Sequence, residues 1–269
     1  MTNAPSDRAH LIAGGFPPGA SAGHDHDHAR LRLLQLLAER DVPASVANDF
    51  ADIEKWLSVS RFVITYAAGP YPDAGQCRAI EGWLKAGGRW LGLHGTSGGR
   101  AERVEGFRQR RTVKLDHHAL LGSYFLTHPP ICKIRVDVHD GAAALTRGLP
   151  ASFVVEDEPY FIELQHPGST RILLTAEYGP DVISPTIGTL YASDTSLLAD
   201  GKTRALGYIR EVGKGAVAYF ALGHCHNPAI RAGRAVDPTD TAPLTFRGSW
   251  ESDSFTTLLR NAIAWGLGA

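Results

Sequence analysis

The chain has little sulfur: its 269 residues include one methionine and three cysteines, Cys77, Cys132 and Cys225. The cysteines are odd in number, widely spaced and show no C-x-x-C. That excludes a disulfide framework and a cysteine zinc site, and it makes a reducing cytoplasm the expected compartment. An excess of either charge is also missing. With 27 basic and 28 acidic residues along the chain, the formal net charge is −1, so nothing electrostatic calls for nucleic acid or an anionic membrane. Small neutral substrates fit better. No run approaches eighteen uninterrupted apolar residues, and the N-terminus lacks an apolar core of signal length, so a soluble, unanchored protein is expected. No internal repeat, low-complexity tract or Pro/Gly/Ser-rich linker divides the chain. One domain over residues 1–269 is expected, with residues 1–9 poorly ordered. The glycine-rich stretch Gly14-Gly15-Phe16-Pro17-Pro18-Gly19 matches neither G-x-G-x-x-G nor a Walker loop, and a nucleotide-binding reading fails.

Strands alternate with helices in the first part of the chain. Leu11-Ile12-Ala13 reads as a short buried strand, and Leu31, Leu33, Leu34, Leu36 and Leu37 form an amphipathic helix that Asp27 would cap. Val42 to Ala47 and Arg61 to Tyr66 give further strands. Ile80, Trp83 and Leu84 mark the inner face of a helix ended by Gly87, and Trp90-Leu91-Gly92-Leu93 follows as the fourth strand. This alternation implies an α/β fold with a parallel sheet, helices on both faces, and ligands beyond the carboxyl ends of the strands. After residue 130 the pattern becomes strand-rich: Ile131 to Val138, Phe153 to Glu156, Tyr160 to Glu163, Arg171 to Thr175, Ala205 to Arg210 and Ala216 to Leu222. The last two flank a hairpin turn at Gly213-Lys214-Gly215. These segments read as an antiparallel extension of the same sheet. A final helix carries Phe255, Leu258, Leu259, Ala262 and Ile263 at helical spacing, with Ser249 as a candidate cap.

The most informative motif is Gly92-Leu93-His94-Gly95-Thr96-Ser97-Gly98-Gly99. A strand that meets a glycine-flanked polar residue and turns sharply toward a helix lifts one reactive side chain above a sheet edge. Here that side chain is His94, an imidazole suited to act as base, acid or metal ligand. The structural alternative is a tight turn that the glycines merely permit. A Ser97 nucleophile would require Ser97 at the apex, which the glycine spacing disfavours. Among the twelve histidines, His94, His128, His224 and His226 fall at the ends of expected elements. Strand alternation turns Cys225 away from the side shared by His224 and His226, so Cys225 reads as a buried apolar residue rather than a nucleophile. Glu156-Asp157-Glu158 places three carboxylates in a row, and at least one of them should be perturbed if the segment is buried. The alternative is a solvated acidic turn. His24-Asp25-His26-Asp27-His28 offers imidazole and carboxylate ligands suited to a divalent metal such as zinc, although no established zinc spacing matches. The competing reading has Asp25 or Asp27 capping the first helix with His26 and His28 in solvent. Trp250, with Tyr160, Arg247 and Glu251, could form a stacking and hydrogen-bonding platform for a polyhydroxylated ligand. Trp250 could equally be a core plug.

Five ordered motifs carry a family resemblance. They are Gly92-Leu93-His94-Gly95-Thr96; Gly122-Ser123-Tyr124-Phe125-Leu126-Thr127-His128-Pro129-Pro130; Asp157-Glu158-Pro159-Tyr160; Gly213-Lys214-Gly215 with Leu222-Gly223-His224; and Arg247-Gly248-Ser249-Trp250-Glu251. Together, from about His24 to the C-terminus, they resemble the ThuA-like (trehalose utilisation) family. The resemblance implies a class I glutamine amidotransferase-like, flavodoxin-like fold and a link to disaccharide or oxidised-sugar metabolism. In that fold His94 stands where amidotransferases carry the elbow Cys, and His224 stands at the late histidine. No glutamyl thioester can then form, which argues against a conventional glutaminase. Two function classes follow. The first is an enzyme of carbohydrate metabolism with His94, His224, Asp157 and Glu158 as its catalytic set. His24, Asp25, His128, Tyr160, Arg247, Trp250 and Glu251 would contact a carbohydrate-like small molecule, with or without a divalent metal such as zinc. The second is a non-catalytic sugar-binding or regulatory protein on the same scaffold. Neither nucleic acid nor membrane is an expected partner, and a homo-oligomer is compatible with either class.

Overall fold

The computed structural model describes residues 6–15, 23–107, 109–141, 143–179, 188–231 and 243–268. Residues 16–19 of the glycine-rich stretch and residues 1–5 lie outside the described residues. Residues 6–9, expected to be poorly ordered, belong to the first strand. The chain runs β1 (Ser6–Gly15), α1 (His26–Ala38), β2 (Ala44–Ala47), α2 (Ile53–Leu57), β3 (Ser60–Ala68), α3 (Ala74–Lys85) and β4 (Arg89–Leu93). Next come β5 (Arg100–Arg103), β6 (Arg110–Val113), α4 (His117–Leu121), β7 (Ser123–Thr127), β8 (Cys132–Val138) and β9 (Ser152–Asp157). The remainder is β10 (Phe161–Leu164), β11 (Thr170–Glu177), β12 (Thr203–Val212), β13 (Gly215–Phe220), α5 (Pro228–Arg231) and α6 (Asp253–Leu267).

Nine strands form one sheet in the order β2-β1-β3-β4-β13-β12-β11-β8-β9. Pairings from β2 to β13 are parallel, and those from β13 to β9 are antiparallel. The chain is thus a mixed α/β protein built on a large central sheet with a parallel half. β3, β4 and β13 are buried along nearly their whole length, as their uninterrupted apolar runs require of strands covered on both faces. β9 alternates instead: Phe153, Val155 and Asp157 point inward while Val154 and Glu156 are exposed. Its period of two thereby sends one carboxylate into the interior. One expectation fails here, because β10, read as part of the sheet extension, pairs with β7 in a separate ribbon. A buried apolar cluster extends from Ala9 to Trp265. Among the described residues no helix is long and apolar enough to cross a membrane.

One cap follows the alternative reading and one differs from expectation. Asp25, rather than Asp27, caps α1 by accepting from the His28 N–H at 3.1 Å, and Asp27 stays exposed beside Arg30. Ser252, rather than Ser249, caps α6, which releases the Ser249 hydroxyl for the site described below. Helix α1 packs on α6, and both lie on β3; α3 packs on α2 and α4.

His10 is fully buried in β1, 2.8 Å from the Ser45 hydroxyl and stacked on Trp56 at 5.4 Å. Burial, aided by Arg8, lowers its pKa to about 4. Below its unfolded pKa of about 6.5 only the unfolded chain gains this proton, so stability falls with pH between about 6.5 and 4, by up to about 3 kcal/mol. His10→Asn should flatten that slope. Urea denaturation at pH 7 and pH 5 checks this, and equal losses in wild type and variant would refute it.

Candidate functional site

Strand register brings two distant segments level at the carboxyl edge of the sheet. β4 and β13 are parallel neighbours with Leu93 opposite Phe220, so His94 emerges beside Ala221, and its Nδ1–H donates to the Ala221 carbonyl at 3.1 Å. That bond fixes the tautomer and leaves Nε2 as the nitrogen with a lone pair. His94 has φ 40°, the left-handed region that costs a non-glycine residue of order 1 kcal/mol or more. The turn is accordingly tight. A Cβ on Gly95 would stand 2.9 Å from the Ala67 carbonyl oxygen, and one on Gly92 would stand 2.8 Å from Leu121 Cδ1. Polar side chains hold the turn from outside: Tyr219 donates to the His94 carbonyl at 2.8 Å, and His117 donates to the Thr96 carbonyl at 3.2 Å. His118 Nε2 meets the carbonyls of Ser97 at 3.1 Å and Gly98 at 2.9 Å. Ser97 lies past the apex with its hydroxyl 2.7 Å from that of Tyr219, so it occupies a structural position.

His224 is positioned by Asp157. This carboxylate is fully buried and accepts from the N–H groups of Gly223 at 2.8 Å, His224 at 3.0 Å and Glu158 at 2.7 Å, and from the Ser249 hydroxyl. Burial pushes its pKa up to about 6 against the pull of these donors. Asp157 therefore braces the backbone instead of facing a ligand. The next residue, Glu158, turns the other way: its Oε1 lies 3.2 Å from His128 Nδ1 and its Oε2 lies 3.3 Å from His224 Nδ1. Across the ring, His224 Nε2 is 3.0 Å from His226 Nδ1, and His226 Nε2 is 2.7 Å from the Pro243 carbonyl.

His24 completes the cluster. The Asp25 N–H bonds to the Cys225 carbonyl at 2.8 Å, tying the start of α1 to the segment after β13. The ring centroids of His24, His94 and His224 stand 5.0, 5.2 and 5.4 Å apart in pairs. Each ring offers a nitrogen, and these three atoms lie within 4.8 Å of one another. Tyr160 covers the group, with its hydroxyl 3.2 Å from His24 Nε2 and its ring centroid 3.8 Å from that of His94. Burial lowers the His94 pKa to about 3 and that of His26 to about 4. Both are neutral at physiological pH and cannot serve as protonated acids there. Cys225 is inert, its thiol pushed up to about 12 by burial, as its expected inward orientation required.

His94 and His224 are themselves closed off from solvent, whereas His24 also lines a cavity of about 520 Å³. The cavity lies beyond the ends of β1 and β2, with Arg30, Asn48, Asp49 and Asn227 on its wall. Other expected ligand contacts are spent internally. Asp25 lines the cavity, but its carboxylate caps α1, pairs with Arg247 at 2.7 Å and accepts from Asn227 at 2.8 Å. Trp250 is a core plug: it is buried, donates to the Gly223 carbonyl at 2.7 Å and lies 5.7 Å from the Tyr66 ring. Glu251 is exposed on the turn before α6, outside the cluster. His26, expected in solvent, is buried against Tyr66, and His28 lies half-buried beside Trp250. Sequence reading missed His117, His118 and Tyr219. Their signal is tertiary, since each acts by bonding to a turn or ring far from its own motif.

Asp157→Asn keeps one acceptor and turns an amide N–H₂ toward the donors that the carboxylate now satisfies. We expect a loss of about 2–4 kcal/mol in urea unfolding; a loss below about 0.5 kcal/mol would show that the brace is dispensable.

Among curated proteins none matches this chain. Among solved structures, a ThuA-like protein from Bacteroides uniformis ATCC 8492 superposes with a TM-score of 0.60 at 18% identity, covering 98% of this chain and 92% of that one. A ThuA-like protein from Parabacteroides merdae ATCC 43184 gives 0.59 at 15% identity, covering 97% and 90%. A β-galactosidase from Rahnella sp. R3 gives 0.52 at 14% identity, covering 82% of this chain and 29% of that enzyme. At these identities the likeness is one of fold. The family model for ThuA, described as trehalose utilisation, matches residues 19–232, stopping short of the Arg247–Glu251 motif, and by that match the chain belongs to the ThuA family.

Proposed function

We propose that this ThuA-family chain is a single-domain cytoplasmic enzyme acting on a carbohydrate-like small molecule, a disaccharide or an oxidised sugar derived from one. We further propose that the fold is flavodoxin-like, with α1 and α6 on one face of the parallel half and α2, α3 and α4 on the other. The order β2-β1-β3-β4-β13 supports this, since it follows the doubly wound 2-1-3-4-5 pattern. In that pattern ligands gather at the switch point beside the first strand, and the polar cavity next to His24 lies there. Its volume falls within the ~300–1,000 Å³ range of small-molecule sites.

The observation that carries the catalytic reading is Glu158, held between His128 and His224 at 3.2 and 3.3 Å, next to the three-histidine cluster. A carboxylate flanked by two imidazoles can take a proton from a hydroxyl or from a carbon beside a carbonyl, and can hand it on through His128. Glu158 and His128 are both partly exposed, at 15% and 19%, so a substrate can reach them. His24 supplies a hydrogen-bonding group at the cavity, with the Tyr160 hydroxyl 3.2 Å from its Nε2, and Asp157 acts only by holding the backbone of Glu158 and His224. No thiolate is at hand for glutaminase chemistry, because His94 occupies the turn and Cys225 is buried. The purely sugar-binding reading expected a pocket around Trp250 and Tyr160 with the histidines apart from Glu158; Trp250 is spent in the core, and His128 and His224 lie 3.2 and 3.3 Å from Glu158.

Purified protein incubated with trehalose, and separately with its oxidised keto-disaccharide, should consume one of them by chromatography. Glu158→Gln should lower kcat by about 10²–10⁴-fold with folding intact by circular dichroism. His94→Ala should abolish turnover. Full activity in either variant, or no turnover of any disaccharide or oxidised sugar offered, would overturn the reading.

A further inference from the structure

Three buried imidazoles face one another beside the cavity that His24 lines, and each must do something with its second nitrogen. For His94 the bookkeeping is complete. Nδ1–H is given to the Ala221 carbonyl, and Nε2, fully buried, has no hydrogen-bond partner. An unpaired buried nitrogen costs about 1–3 kcal/mol, and this one sits on a residue already held at a positive φ.

For His224 the tautomer follows from its neighbours. The Pro243 carbonyl can only accept, so His226 Nε2 carries a proton toward it. With one proton on the His226 ring, its Nδ1 accepts from His224 Nε2–H at 3.0 Å. This leaves His224 Nδ1 with a lone pair facing a Glu158 carboxylate oxygen at 3.3 Å. Two acceptors at that distance require a positive species beside them, either a proton or a metal cation. The nitrogens of His24 and His94 aimed at the same space, all within 4.8 Å of His224, favour the cation.

We propose that His24, His94 and His224 bind one divalent transition-metal ion, zinc or an ion of like preference, with Glu158 beside its open coordination position. Three neutral imidazoles suit such an ion and not magnesium or calcium, which demand oxygen ligands. Nitrogens around a tetrahedral ion at ~2.0–2.1 Å stand roughly 3.4 Å apart, so entry of the ion draws the rings together by no more than about 1.5 Å. The surroundings have the form that metal histidines require. The bonds to Ala221 and His226 orient two of the rings from behind, and Glu158 supplies negative charge beside a buried dication. With three protein ligands the fourth position is left for water or substrate, where the ion would act on a carbonyl or bound water.

This inference rests on reading the cluster as the active site, but it can fail separately. The full-length protein, stripped with chelator, is titrated with Zn²⁺ and with Co²⁺ and followed by elemental analysis, the visible absorption of tetrahedral Co²⁺, and thermal unfolding. About one equivalent should bind, with a rise in Tm. His24→Ala, His94→Ala and His224→Ala should each weaken binding by at least 100-fold, while His139→Ala, at an exposed position, should leave it unchanged. His94→Gln serves as a second, milder variant should His94→Ala not fold. Wild-type protein that takes up no stoichiometric metal, or cluster variants that bind it as wild type does, would overturn the proposal. If metal is absent while Glu158→Gln still abolishes turnover, the metal falls and the enzyme reading stands. If metal binds and no sugar is turned over, the enzyme reading falls and the metal site stands.

Discussion

Asp157 is a carboxylate with no water around it, and the geometry of the site is arranged about it. Strand alternation carries it inward from β9, where it collects the amides of Gly223, His224 and Glu158 and the Ser249 hydroxyl. These donors come from three parts of the chain: the end of β9, the segment after β13 and the turn before α6. A buried charge is tolerated only when its lone pairs are filled, so the segments must arrive together or the carboxylate is stranded. Glu158, one residue later, leaves on the opposite side and meets the histidines. Two adjacent acidic residues thus have unlike surroundings, one holding the frame and the other turned toward the histidines.

Burial also decides what the imidazoles can do. In a crowded dry space a second positive charge is expensive, so rings that might have been acids or bases in water become hydrogen-bond donors on one side and lone-pair donors on the other. His117 and His118 show the purely structural version, with their N–H groups spent on carbonyls of the turn that begins at His94. The thiol of Cys225 is silenced by the same lack of solvent. Partial contact with water is kept by His128 and Glu158 on one side and by the cavity beside His24 on the other.

Much of this could be read from the sequence because it depends on period and punctuation. Apolar runs such as Ala216–Leu222 and Trp90–Leu93 gave their strands, and the glycines around His94 gave the turn. Alternation at Gly223–His226 placed Cys225 opposite its flanking histidines, as found. Short elements escaped: α2, α4 and the β5–β6 ribbon span only one or two turns or four residues each, too few for a period to register. Pairing escaped as well, which is why β10 was assigned to the main sheet. Among candidate site residues, His24, Glu158, His128 and Tyr160 gather with His94 and His224. Trp250, Arg247 and Asp25 were chosen for their chemical type, and that type served the fold instead: an indole N–H on a carbonyl, and a guanidinium on a helix cap. A side chain's chemistry is visible in one letter, but whether a buried neighbour has already claimed it is not.

The origin of the cluster in the chain has a further consequence. Residues 24, 94, 158 and 224 come from four separate stretches, joined by a parallel strand pair, the Asp157 brace and the backbone bond between Asp25 and Cys225. Any fragment that contains all four spans at least residues 24–224. The centre can therefore exist only after the chain has been made through His224 and β13 has paired with β4, which makes it a built-in marker of a closed sheet.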